Sequence, residues 1–484
     1  MDKKILLLIL DGFGISNKIE GNAVKNSNTP NIDYLYKNSY HTKLSASGED
    51  VGLTEGKAGN SEVGHLNIGS GRIVEQYSLM IKNDIKDGSF FKNPTLISNI
   101  SNNKGNIHIM GLLSDSDVHS NIDSIKAILE SVKGNKVYFH IFSDGRDSCY
   151  KSVEKYLHML DSYINSGKLV ISSIIGRFYA MDRDNRWQRV EKAFELLVNH
   201  KGEEVVDIYE AINKSYNDGI YDEFIPPFYV KSTPKVESND LLIFFNFRED
   251  RARELSSLFI NSTKTNLLCM VNYTDDIKNY IYKRLNIENT LGDILSKNAV
   301  MQYRVAETEK YAHVTYFFDG GKDIVYKKEK RNIIPSLKVK TYDTVPFMRA
   351  REIIEKVEEN MDKFDFIVAN LANPDMVGHT GVYEATVKAI EFIDDNLKDL
   401  ISLILDKNWT LILTADHGNS EEMITDGNIN KSHTTNKVPF IFFNKDTLGN
   451  ERELKEGILA DIAPTILKFF DIKAPKEITG NTLL

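Results

Sequence analysis

The sequence predicts an α/β protein in which one domain, assembled from both ends of the chain, is interrupted by a second α/β domain. Three observations carry that expectation. Short apolar runs of strand length each stop at a polar or glycine-containing turn. Helical apolar periodicity lies between them. The chemistry-bearing residues also change along the chain, with acids and histidines near both ends and arginines in the middle.

The first run, "ILLLIL" (5–10), ends at Asp11 and Gly12. It is too short for the apolar core of a signal peptide, so it reads as a buried strand. "FDFIVANLANPD" runs into Asp375, "WTLILTADHGN" runs into Asp416 and His417, and "VPFIFFN" has the same apolar core. All read as strands of a parallel sheet. "YEATVKAIEFIDDNLKDLISLIL", Tyr383 to Leu405, repeats its apolar residues at three and four positions and reads as a helix. Ligands of such sheets collect at the carboxyl ends of strands, where Asp11, Asp375, Asp416 and His417 all fall. The middle has its own strand runs, "NIHIMGLL", "KVYFHIFSDGRD", "LVISSIIGRF" and "DLLIFFNFRED", which end in arginine-bearing turns. The expected division is residues 1–75 with 286–484, and an insertion over 76–285.

At 484 residues the chain can bury two or three cores. A net charge of −9 speaks against general binding to nucleic acid or anionic membrane. No run reaches the length of a membrane span. With 2 cysteines, Cys149 and Cys269, neither a disulfide framework nor a cysteine zinc site is expected, and a reducing cytoplasm is the default.

The stretch "GNSEVGHLNIGSGR" (59–72) admits two readings: a glycine loop around a nucleotide phosphate, or a loop that presents Ser61. The glycine spacing fits neither a P-loop nor a dinucleotide fingerprint. Upstream, "GLTEGKA" has three residues between its glycines and Ala58 after Lys57. Ser61, beside Glu62 and His65, is what remains.

Asp375 and His379 in "NPDMVGH" are four apart, so a helical turn puts both on one face. "TADHGN" adds Asp416 and His417, "KSHTTN" adds His433, and the first strand ends at Asp11. Taken singly, a strand-end Asp is more often a helix cap and a lone His a surface or core residue. Together they supply three carboxylates and three imidazoles, with the Ser61 hydroxyl as a seventh donor. That set suits manganese, zinc or cobalt better than calcium and divides between two ions. A nearby cation would activate Ser61 as a nucleophile.

Arginines cluster in "GRFYAMDRDNRWQR" (Arg177, Arg183, Arg186, Arg189), "NFREDRARE" (Arg248, Arg251, Arg253) and "SDGRDS" (Arg146, beside Asp147), and "DVHSN" carries His119. Arg186, Arg189 and Arg253 are expected on a solvated, salt-bridged helix face. Arg177 and Arg248, at strand ends, favour a small anion in a cleft.

With "LDGFG", "AETEKYAHVTYFF", "ANPDMVGHTG" and "HTTNKVPFI", these stretches resemble, in order and over nearly the whole chain, the cofactor-independent phosphoglycerate mutases. These are alkaline-phosphatase-like metalloenzymes whose phosphatase domain is interrupted by a transferase domain. The resemblance implies one manganese ion held by Asp375, His379 and His433, and a second held by Asp11, Ser61, Asp416 and His417, with Co²⁺, Mg²⁺ and Zn²⁺ as alternatives. It implies substrate contacts from His119, Arg146, Asp147, Arg177, Arg183, Arg248, Arg251 and Lys310. It also implies interconversion of 3-phosphoglycerate and 2-phosphoglycerate in glycolysis and gluconeogenesis through a phosphoserine, with Ser61, Asp147 and Lys310 as catalytic residues. A monomer acting on a small molecule is expected, with no nucleic-acid or membrane partner.

The chain departs from that pattern in places. Ser116 and Asp117 replace two usual glycines and Asn121 a usual histidine. Phe347 and Arg349 replace Glu and Ser, and Leu337 stands where a proline is common. None removes an expected metal ligand. A metal-dependent phosphomonoesterase of the same superfamily, a mutase acting on another sugar phosphate, and an inert metal- or anion-binding protein are the competing expectations.

Overall fold

The computed structural model describes residues 3–484. The chain divides into two compact units, Met1–Gln76 with Asn286–Leu484, and Tyr77–Leu285.

In the first unit, Ile5–Leu10 is buried at every residue, the pattern of a parallel strand covered on both faces. Each such side chain contributes roughly 1.5–3 kcal/mol of burial. It sits inside a sheet ordered Glu329–Ile334, Gln302–Glu307, Phe366–Leu371, Ile5–Leu10, Thr410–Thr414, Val438–Phe443, Tyr40–Ser45, Arg452–Glu453. The first five strands in that order are mutually parallel. Val438–Phe443 departs from the parallel expectation and runs antiparallel to Thr410–Thr414, with Leu411 opposite Phe443. Segment 415–437 is built of a 3₁₀ turn and a two-stranded ribbon rather than a crossover helix, so the chain returns beside itself. The helix Tyr383–Asp406 buries Ala389, Ile390, Ile393, Leu397, Leu400, Ile401 and Ile404 on one face.

The second unit carries its own sheet, ordered Tyr280–Tyr282, Asn266–Val271, Leu241–Phe244, Ile107–Leu113, Val137–Ser143, Leu169–Gly176, Phe228–Val230, Glu203–Val205. All pairings are parallel except that of Leu169–Gly176 with Phe228–Val230. Among the described residues, no helix is long and apolar enough to cross a membrane.

Candidate functional site

Four adjacent parallel strands deliver one cluster in the first unit. Gln302–Glu307, Phe366–Leu371, Ile5–Leu10 and Thr410–Thr414 lie side by side. Lys310, Asp375, Asp11, and Asp416 with His417 follow their carboxyl ends in that order. Close register, with Leu10 opposite Leu371 and Ile9 opposite Thr414, brings those ends to one edge.

Residues 59–72 form mainly a helix, contrary to the loop expectation. Asn60 caps the helix Ser61–Ser70 by accepting from Val63 N at 3.0 Å, so Ser61 is its first residue. Its glycines serve close packing rather than room for a phosphate. A Cβ on Gly64 would lie 2.5 Å from Asp416 O, and one on Gly69 2.0 Å from Phe318 O. Gly12, at φ +74°, is needed for the same reason, since its Cβ would meet Asp375 Cα at 2.8 Å.

Ser61 Oγ lies 3.0 Å from His417 Nε2 and 3.2 Å from Asp11 Oδ1, and accepts from Lys310 Nζ at 2.7 Å. Lys310 Nζ also donates to Asp11 Oδ1 and Asp375 Oδ2, at 2.6 Å each. Asp375 Oδ1 is 3.2 Å from His379 Nε2 and from His433 Nε2. Asp416 Oδ2 is 3.6 Å from His417 Nε2. The structure therefore gathers Asp11, Ser61, Asp375, His379, Asp416, His417, His433 and Lys310. The sequence reading names neither Asn419, which donates to Asp375 Oδ1 at 2.9 Å, nor Asn370, which donates to Asp11 Oδ2 at 2.7 Å. A polar residue inside the apolar run "FIVANL" is the one signal that marks Asn370.

The donors fit divalent cations. His379 Nδ1 faces Lys431 O at 2.7 Å and His433 Nδ1 faces Gly59 O at 2.9 Å. A ring whose Nδ1 donates to a carbonyl aims the Nε2 lone pair inward. The two Nε2 atoms are 3.0 Å apart beside a carboxylate, an arrangement that calls for a proton or a cation between them. His417 Nδ1 likewise faces Gly418 O at 3.2 Å. Asp416 Oδ2 is buried and accepts no hydrogen bond. Two triads have their ligand atoms within 4.8 Å of one another: Asp375 with His417 and His433, and Asp11 with His65 and Asp416. His417 Nε2, in the first triad, also lies 3.4 Å from Asp11 of the second, against 3.9 Å from Asp375.

The charges are strongly coupled. Burial opposes the Lys310 ammonium, but Asp11 and Asp375 overcome it and hold the amine well above its ordinary range. Burial also opposes ionised Asp11 and Asp375, and Lys310 overcomes it there, so both stay below the usual carboxylate range. Burial pulls His417 down, yet Asp416 and the bond to Asp11 raise it to about 10. His433 is lowered by burial and by His417.

The second unit holds an arginine cleft of ≈ 400 Å³. Arg177 is buried and donates to Asp144 Oδ1 at 2.7 Å and Asp147 Oδ2 at 2.5 Å. Arg146, Arg183 and Arg251 line the same cleft. Arg183 and Arg248 both pair with Asp250, at 2.8 and 3.2 Å. His119 Nε2 is 3.7 Å from Asp147 Oδ2, and burial, then Arg177 and Arg248, push it down to about 3. Arg186 and Arg189 also line the cleft, and each is paired with Asp182, in keeping with the salt-bridged face expected of them. Asp117 sits at φ 62°, a left-handed conformation that glycine adopts most easily. Asn121 donates to its carboxylate and also caps the helix Ile122–Ser131. That substitution thus brings its own local support.

A model of the metalloenzyme superfamily matches residues 3–474. The chain is 46% identical to the 2,3-bisphosphoglycerate-independent phosphoglycerate mutase of Clostridium botulinum, over 100% of this chain and 99% of that one. It is 46% identical to the enzyme of the same name from Clostridium tetani, over the same shares. A crystal structure of Leishmania mexicana phosphoglycerate mutase at low cobalt concentration aligns with a TM-score of 0.74 and 27% identity, covering 100% of this chain and 98% of that one. The chain belongs to the 2,3-bisphosphoglycerate-independent phosphoglycerate mutases, within the metalloenzyme superfamily. Membership of that superfamily supports divalent-metal binding, and the strand-end cluster holds the two triads whose ligand atoms are close enough to bind such ions.

Proposed function

We propose that this protein interconverts 3-phosphoglycerate and 2-phosphoglycerate, without 2,3-bisphosphoglycerate, through a phosphoserine at Ser61. The observation that carries the reading is the placement of Ser61 Oγ at a helix N-terminus, within 3.2 Å of Lys310 Nζ, His417 Nε2 and Asp11 Oδ1. A lone hydroxyl is a weak nucleophile, and this setting favours its alkoxide and then a phosphate dianion.

Two divalent ions, manganese by proposal, would be held by Asp375, His379 and His433, and by Asp11, Ser61, Asp416 and His417; when bound they lower the pKa of the serine hydroxyl and neutralise phosphoryl charge. Ser61 Oγ attacks phosphorus, forming an Oγ–P bond as the bond to the substrate's C3 oxygen breaks. Lys310 Nζ donates to the equatorial phosphoryl oxygens. Asp147 is assigned the protons of the glycerate hydroxyls, one taken up by the leaving oxygen and one removed from the C2 oxygen when it takes the phosphoryl group back. His119, Arg146, Arg177, Arg183, Arg248 and Arg251 are assigned to the carboxylate and phosphate, where guanidinium forks bind bidentately. The protein would act as a cytoplasmic monomer.

The test is isomerase activity of metal-stripped protein with manganese restored and no bisphosphoglycerate added. Product as the isomer supports the reading, and product as free phosphate favours a phosphatase. Ser61→Ala should lower turnover by more than about 10³-fold. Mass spectrometry should find phosphate on Ser61 only in the wild type; an active alanine variant would end the phosphoserine mechanism.

A further inference from the structure

His65 lies among potential metal ligands, 3.2 Å from Asp416 Oδ2, and is fully buried. Its own bonding argues against ligation. Nδ1 is 2.9 Å from the carbonyl oxygen of Ser61, which can only accept, so Nδ1 carries a proton. Nε2 is then the acceptor, and Asn370 Nδ2 stands 3.1 Å from it. The same Asn370 nitrogen donates to Asp11 Oδ2 at 2.7 Å. Its two N–H bonds are thereby spent, one on His65 and one on Asp11. Asn370 Oδ1 is buried with no partner, so what the nitrogen donates to is what orients the amide. Turned over, the amide would set its oxygen against the Asp11 carboxylate.

We propose that His65 and Asn370 form a positioning pair that aligns Asp11 and the first turn of the Ser61 helix for the metal ion bound by Asp11, Ser61, Asp416 and His417. The pair joins three elements that are far apart in sequence. His65 is on the Ser61–Ser70 helix, Asn370 on the strand Phe366–Leu371, and Asp11 follows the strand Ile5–Leu10. Asn370 is paired with Ile9 in register, so its side chain has little freedom to follow a displaced carboxylate. His313, whose ring centroid is 5.5 Å from that of His65, packs beside it, and burial keeps His313 neutral, lowered to about 3. The other carboxylate oxygen, Asp11 Oδ1, is thereby turned toward Lys310, Ser61 and His417, the side on which the cation would bind. The other ion's ligands, Asp375, His379 and His433, are oriented by different partners, namely Asn419, Lys431 O and Gly59 O. The pair therefore acts on one ion and not the other. Outer partners of this kind typically change metal affinity by about 10–100-fold.

The inference rests on the two-metal reading, and its test keeps the two apart. Cobalt(II) binding by calorimetry, with the visible absorption of the loaded protein, is measured for wild type, His65→Ala, His65→Gln, Asn370→Leu and the His65→Ala/Asn370→Leu double variant. Asn370→Leu preserves volume, and circular dichroism of each variant reports folding. The wild type should take up two ions. His65→Ala and Asn370→Leu should each weaken one site by about 10–100-fold and change its absorption band, with the other site held to within about threefold. The double variant should be no weaker than the worse single one, because the two residues act as one chain. His65→Gln, which can still accept from Asn370, should recover part of the loss. Equal weakening at both sites, an unaltered isotherm, or multiplicative effects would overturn the pairing. Loss of one ion outright in both His65→Ala and His65→Gln would make His65 a ligand instead. A wild type that binds no cobalt would refute the two-metal reading itself.

Discussion

Lys310 Nζ lies 2.7 Å from Ser61 Oγ while donating to Asp11 and Asp375 on either side. The ammonium is buried and touches both the nucleophile and a carboxylate from each expected ion's ligand set. It compensates two carboxylates that have left water, and in the mechanism proposed above it would also hold charge on the phosphoryl oxygens.

Removing Lys310 should separate those two functions. Lys310→Met should lower kcat by about 10²–10³-fold, the range found when a preorganised donor is lost. It should also destabilise the metal-free protein by about 3–5 kcal/mol, because two buried carboxylates lose their counter-charge. Added manganese should restore most of the stability and little of the rate. Thermal unfolding with and without manganese, alongside kcat, checks this.

Metal uptake should release protons. In the metal-free protein His417 is held protonated up to about pH 10, since Asp416 and Asp11 outweigh the effect of burial. A cation binding Nε2 must expel that proton, so affinity rises with pH below that value and falls toward acid. Calorimetry in two buffers of different ionisation enthalpy, at pH 6 and pH 8, should show net proton release. Acid inhibition that added manganese relieves is the corresponding kinetic signature, and inhibition indifferent to manganese would contradict it.

Asp144 should govern substrate affinity without touching the metals. It is buried and accepts from Ser114 Oγ at 2.6 Å, Arg177 Nη1 at 2.7 Å and Asp147 N at 3.0 Å, which fixes both the Arg177 fork and the Asp147 turn. Burial opposes its charge, but the hydrogen bonds and Arg177 keep it below the ordinary carboxylate range. Asp144→Ala should raise KM for phosphoglycerate by about 10-fold or more, since it leaves a buried guanidinium half-paired. Cobalt stoichiometry should stay at the wild-type value. Steady-state kinetics and metal analysis on the same preparation decide the point.

The second unit should lose stability in mild acid. His108 Nδ1 is 3.0 Å from His140 Nε2, His140 Nδ1 is 2.8 Å from Ser173 Oγ, and His108 Nε2 is 3.3 Å from Asp240. Burial lowers His108 to about 4, against a partial rise from Asp240, and lowers His140 further below its ordinary value, with His108 and His200 adding to the effect. The unfolded chain then binds more protons than the folded one below about pH 6.5, so stability falls as pH drops from there toward 4. Urea midpoints for His140→Leu should vary less across that window than those of the wild type. An identical slope in both would remove this histidine pair as the cause.

The sequence alone determined the α/β class and the strand-end placement of Asp11, Asp375, Asp416 and His417, because apolar runs of strand length that stop at turn residues fit covered strands better than helices, and their ends are where polar groups can meet. Long motifs singled out Ser61, Lys310 and the arginines as candidates, though they put Ser61 in a loop rather than at a helix start. Other features waited on tertiary structure. The antiparallel return of Val438–Phe443 depends on how segment 415–437 folds back, and nothing in an apolar run encodes strand direction. The close seating of the Ser61–Ser70 helix depends on Gly64 and Gly69 meeting the backbone of Asp416 and Phe318, residues hundreds of positions away. His65 stands out in the sequence only as a neighbour of Ser61, and Asn370, Asn419 and Asp144 are single polar residues with no spacing to announce their partners. Their roles come from strand order and register, which set Gln302–Glu307, Phe366–Leu371, Ile5–Leu10 and Thr410–Thr414 side by side in the first unit. Strand order is a property of the folded sheet, decided by which buried faces pack best together, and no local pattern along the chain carries it.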